Sequence, residues 1–114
     1  MVGLDFGTTY SGFAYCYVAN EQEIISNDTW HGVLQLKTNT VLQYDREYKN
    51  VMLWGAPALW KRPMRRKSKG NDSKPVELFK LHLGNIPDEF KPVLPPGLDY
   101  KSAITDYLRE IGKV

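Results

Sequence analysis

The sequence predicts an α/β fold, with short strands gathered in its first half and one amphipathic helix at its end. Three observations carry that expectation. In YSGFAYCYV (10–18), Phe13, Tyr15 and Tyr17 alternate with Ala14, Cys16 and Val18, the two-residue period of a strand. Just before it, Asp5, Gly7, Thr8 and Thr9 interrupt two apolar runs and predict a tight hairpin turn. In DYKSAITDYLREIGKV (99–114), Tyr100, Ala103, Ile104, Tyr107, Leu108 and Ile111 recur at helical spacing.

Taken in order, residues 1–6 read as a strand, and VGLDF is apolar enough to lie buried on both faces in the middle of a sheet. Few further strands are available to flank it, so the chain reads as the beginning of a larger fold. Residues 20–32 are polar apart from Ile24-Ile25 and read as a connection. Short strands are expected at Gly32–Leu36, Thr40–Tyr44 and Val51–Trp54. GAPALW turns into a brief helix whose start is pinned by Pro57. Residues 61–74 carry charge and turn formers with little to bury, and read as a loop. VELFKLHL, following Pro75, is expected to form a short helix entered through Ser73. Residues 85–98 hold four prolines and read as an irregular, extended connection. The final helix has Asp99 as its N-cap and Gly112 as its stop.

The bulk composition narrows the classes. A length of 114 residues predicts one domain with a core that needs no staple, and 42% apolar with 25% charged residues is ordinary for a globular chain. Cys16 is the single cysteine, which leaves no intrachain disulfide or paired-cysteine zinc site and fits a reducing compartment. No apolar run is long enough for a membrane span and no secretory leader is recognisable, so a cytoplasmic protein without membrane contact is expected. The net charge of +2 hides an asymmetry: KRPMRRKSK (61–69) holds six cations and no acid, and the other nine cations face thirteen acids. That run reads as a solvated loop. It lacks the aromatic interleaving of a nucleic-acid platform, so nucleic acid is not an expected partner. His31 and His82 lack partners at metal-ligand spacing, and the tryptophans read as core.

The opening turn has chemistry to offer. Converging backbone N–H groups cradle phosphate where glycine allows close approach, hydroxyls add donors, and a carboxylate can hold Mg²⁺ against the phosphate oxygens. Asp5-Phe6-Gly7-Thr8-Thr9 supplies all three, although neither a Walker A loop nor a dinucleotide fingerprint is present. On composition alone, a plain Asx-type hairpin turn accounts for the same residues.

The longer stretch GLDFGTTYSGFAY (3–15) resembles the first phosphate-binding motif of the actin-like ATPase superfamily. It is most similar to the heat-shock-protein-70 (DnaK-like) family, whose hairpin reads Gly-(Ile/Leu)-Asp-(Leu/Phe)-Gly-Thr-Thr-Tyr-Ser. Phe6 and Gly12-Phe13-Ala14 look more like that family's divergent branch. KTNTVLQY (37–44) is similar to the family's Arg/Lys-Thr-x-Pro strand entry, with Asn39 where proline is common. LWGAPAL (53–59) is similar to its Ile-Gly-x-x-Ala segment, and ELFKLHLG (77–84) to the place of a catalytic lysine.

The resemblance implies a ribonuclease-H-like actin/heat-shock-protein-70 ATPase fold, of which 1–114 is the N-terminal part. Residues 1–19 would be the phosphate-loop hairpin and 20–114 a peripheral subdomain ending in the helix 99–112. It implies ATP or ADP with Mg²⁺ as ligands. Asp5 would approach the metal through water, and Gly7, Thr8 and Thr9 would hold the β- and γ-phosphates. Tyr10 would complete the loop through its backbone, and Lys80 would be the catalytic cation at the γ-phosphate. The family's other nucleotide motifs fall beyond the equivalent of Val114, so weak nucleotide binding at best and no meaningful turnover are expected of this chain alone. In the intact family member, protein clients or co-chaperones would be the partners. The competing expectation is a truncated, non-enzymatic interaction module that acts through the basic loop 61–69.

Overall fold

The computed structural model describes residues 1–60 and 74–114. The basic run 61–69 and the expected helix entry at Ser73 lie outside the described residues. The described chain is a small mixed α/β structure with several antiparallel sheets and two helices.

The first sheet is built around the opening hairpin. Strands β1 (Val2–Phe6) and β2 (Tyr10–Tyr17) pair antiparallel, with Asp5 opposite Gly12 and Phe6 opposite Ser11, which leaves Gly7–Thr9 as the connection. On its other edge β2 is shared. Its first residues pair with β6 (Thr38–Asn39), Tyr10 facing Asn39 and Ser11 facing Thr38. Its later residues pair with β3 (Asn20–Ser26).

Two expectations are corrected here. Residues 20–26 form a full strand where a polar connection was expected; every residue of β3 is exposed, so no apolar alternation marks it. Strand β1 is not buried on both faces. Among the described residues β2 is its only partner, and Val2 and Leu4 remain 69% and 47% exposed.

The core lies elsewhere. After the small hairpin β4 (Thr29–Trp30) and β5 (Val33–Leu34), strand β7 (Val41–Tyr44) runs buried at all four positions between β8 (Val51–Trp54) and β9 (Val76–Glu77). Helix α1 (Ala56–Trp60) follows β8 as expected, and the Thr38 hydroxyl accepts from the Ala56 amide at its start. Of the tryptophans, Trp30 is buried as expected, whereas Trp60 is half exposed.

Helix α2 (Tyr100–Ile111) closes the core from the far end of the chain. Asp99 caps it by accepting from the Lys101 amide, and the Gly112 amide donates back to the Leu108 carbonyl. Its buried residues Ala103, Tyr107 and Ile111 lie along one stripe. Tyr107 is the meeting point: its ring lies 5.9 Å from Phe6 of the first sheet, 5.8 Å from Trp54 and 6.0 Å from Phe79. Its hydroxyl donates to the Asn39 carbonyl at 3.0 Å.

The segment after Pro75 is not the short α-helix expected from its apolar spacing. Val76 and Glu77 extend the sheet as β9, paired with Leu42 and Val41. Leu78 then takes a left-handed conformation at φ 60°, and Phe79–Leu83 forms a 3₁₀ turn. A non-glycine residue in that region costs about 1–2 kcal/mol. Fully burying Phe79 offsets this cost, and the same reversal sends Lys80 back toward the opening hairpin.

Candidate functional site

The Gly7–Thr9 connection owes its shape to two glycines and a threonine. A Cβ on Gly7 would overlap the carbonyl oxygen of Tyr10, so only glycine lets the strands close this tightly. From β7's side, the Thr40 amide donates to the Thr9 carbonyl at 2.8 Å. The Thr40 hydroxyl donates to the Gly7 carbonyl at 2.9 Å and lies 2.7 Å from the buried Ser11 hydroxyl. The turn's carbonyls are thus bound from behind. No hydrogen bond to another described residue engages the Thr8 or Thr9 hydroxyl.

Asp5 sits at the end of β1 with its carboxylate exposed. Lys37 Nζ lies 2.6 Å from it. The hydrogen bond and charge of Lys37 hold the Asp5 carboxyl below the usual carboxylate range, against a smaller upward push from desolvation, and Lys80 adds a weaker pull downward. Asp5 is therefore ionised at neutral pH.

The route of Lys37 depends on the second glycine. Gly12 stands opposite Asp5 in the β1–β2 ladder, and a Cβ there would meet the Leu36 carbonyl at 2.9 Å and the Lys37 side chain at 3.3 Å. The absent side chain at Gly12 is the gap across which Lys37 reaches Asp5. A shallow groove of about 240 Å³ runs past this ion pair over Gly3, Gly12, Ala14 and Ser26.

Lys80, 74 residues beyond Phe6, donates to the Phe6 carbonyl at 2.6 Å, and its ammonium lies 5.3 Å from the centre of the Phe6 ring. The structure thus brings Asp5, Gly7, Thr8, Thr9 and Lys80 to one turn. Tyr10 already belongs to β2, opposite Asn39, and its ring is half exposed.

Lys37, Thr40, Ser11 and Gly12 were missed as site residues by sequence reasoning. An isolated glycine within a strand pattern signals close approach by another part of the chain, and Gly12 carried that signal. His82 is structural: its Nε2 lies 2.8 Å from the Pro92 carbonyl and its ring stacks on Tyr100.

For a metal, Asp5 is the one acidic side chain at the turn among those placed here. Mg²⁺ is commonly held by one or two carboxylates together with phosphate oxygens and waters, so a lone aspartate fits it only alongside a phosphate. Among the described residues no three His, Cys, Asp or Glu side chains gather into a metal cage, and no helix is long and apolar enough to cross a membrane. Comparison of the chain with family models, with curated proteins and with solved structures finds no match in any of the three.

Proposed function

We propose that this chain carries the first phosphate-binding loop of an ATP-binding domain of the actin-like, heat-shock-protein-70-like kind. One observation supports it above the others: Lys80, in the 3₁₀ turn that follows β9, returns to the Phe6 carbonyl beside the Asp5–Thr9 turn. That placement sets a cation from a distant segment beside the turn, close enough to pull on the Asp5 carboxylate.

In this reading the Gly7, Thr8 and Thr9 amides and hydroxyls receive phosphate oxygens, and Lys80 neutralises charge at the terminal phosphate. The resemblance assigns Asp5 a water-bridged Mg²⁺ that would neutralise the phosphate oxygens, but the Asp5 carboxylate already carries the Lys37 ammonium. The protein is in this reading one part of a chaperone-type ATPase, with ATP or ADP as ligand and protein clients as partners of the whole.

The test is ATP binding by the full 114-residue chain, followed by ligand-observed NMR. Saturable binding that Lys80→Ala weakens about tenfold, the loss of one charge-assisted contact, supports the reading. Binding untouched by Lys80→Ala, or absent altogether, sinks it. Binding that instead responds to Arg65, Arg66 and Lys67 would favour the interaction module acting through the basic loop.

A further inference from the structure

We propose that Lys37 takes, beside Asp5, the place a divalent cation would take, so that the Gly7–Thr9 turn accepts a phosphate ester or polyphosphate without metal. The proposal rests on the phosphate-binding reading above and specifies its ligand requirement.

The argument is electrostatic and steric. A phosphate approaching Gly7–Thr9 meets the Asp5 carboxylate at the end of the preceding strand, and two like charges at that range repel. A positive charge standing at Asp5 relieves that repulsion. In this chain an ammonium is already there, 2.6 Å from the carboxylate. Asp5, Lys37 and Lys80 together leave the turn with one net positive charge rather than a deficit.

The arrangement is built in, because Gly12 supplies the space through which Lys37 passes. Strand β6, whose first residue Thr38 is locked opposite Ser11, fixes the backbone from which Lys37 departs. An ammonium has three donors, and one carboxylate does not use them all. The Lys37 side chain is 50% exposed, so its remaining donors face the solvent from which a phosphate would come. A divalent metal at Asp5 would meet this ammonium as a like charge, whereas a phosphate would meet it as an opposite one.

Equilibrium dialysis of the full chain with ATP and with inorganic pyrophosphate, each in EDTA and in excess Mg²⁺, tests this directly. The wild-type chain should bind both ligands within about threefold of the same affinity in the two conditions. Lys37→Gln should lose about tenfold in EDTA, the size of one lost charge-assisted contact, and recover in Mg²⁺. Asp5→Asn, which removes the repulsion, should bind more tightly than wild type in EDTA.

Wild-type binding that requires Mg²⁺, or Lys37→Gln binding like wild type in EDTA, overturns the proposal and leaves the phosphate-binding reading standing. No binding in either condition overturns both. Circular dichroism of the two variants separates a lost contact from a lost fold.

Discussion

The opening hairpin and the β7–α2 core solve opposite problems with different residues. Around Gly7–Thr9 the shape comes from absent side chains, at Gly7 and Gly12, and the polar contacts are exposed or backed by Thr40. Around Tyr107 the shape comes from large rings; among the described residues no charged residue is fully buried, and Tyr44 donates to the partly exposed Asp106 at 2.6 Å. The hairpin region is placed by the core and contributes little burial of its own; β1 and β3 are exposed along almost their whole length. The comparison teaches that the candidate site is shaped by close backbone approach and held to the core through a few contacts, Phe6 and Phe13 among them.

That separation can be broken most severely at Tyr107. Tyr107→Ala removes a buried ring that touches Phe6, Trp54 and Phe79, and should cost about 3–5 kcal/mol of stability in chemical denaturation. Loss of that size would unfold much of the population and take the site with it. A cost below about 1 kcal/mol would mean that the helix is not what joins the first sheet to the β7 sheet.

Gly7→Ala tests the other side of the comparison. Its methyl group must push the Tyr10 carbonyl away, with a stability cost of about 1–2 kcal/mol and loss of measurable ATP binding while the core stays folded. If core stability and binding fell in proportion, the two regions would not be separable.

The smallest effect concerns pH, at the junction of the two regions. His31 lies against Trp54 with ring centres 4.6 Å apart, and its buried Nε2 has no hydrogen-bond partner among the described residues. Burial lowers its pKa from the ordinary histidine value, so the unfolded chain binds the proton more readily than the folded one. Stability from this residue is therefore complete above the unfolded-state pKa and is lost as pH falls through the folded-state value. Thermal denaturation should show the midpoint falling between about pH 7.5 and about pH 5.5, where histidine titrates. His31→Asn, which tolerates the residue's positive φ, should fall less over the same range.

What the sequence made legible follows the range of the interactions. Helix α2 and its caps are local, so periodicity with Asp99 and Gly112 located it closely. The β1–β2 hairpin and its turn were legible for the same reason. Strand β3 was not, because a strand exposed on both faces carries no hydrophobic alternation. The reversal at Leu78 was not, because a left-handed leucine is imposed by tertiary packing around Phe79 and Val76 rather than by its neighbours in sequence. The site divides along the same line. Asp5 and Gly7–Thr9 are contiguous and announced themselves as a turn. Lys37 became visible only when β6 was found beside β2, which brings it over Gly12.

Tyr107 also sets an order on synthesis. Phe6, Trp54 and Phe79 are all made before the one ring that joins them, and the Asn39 carbonyl is made 68 residues before the hydroxyl that binds it. During translation the β1–β2 hairpin and the β7 sheet are made before helix α2, which covers them. At about 5–20 residues per second, the first strand spends several seconds outside without its cover.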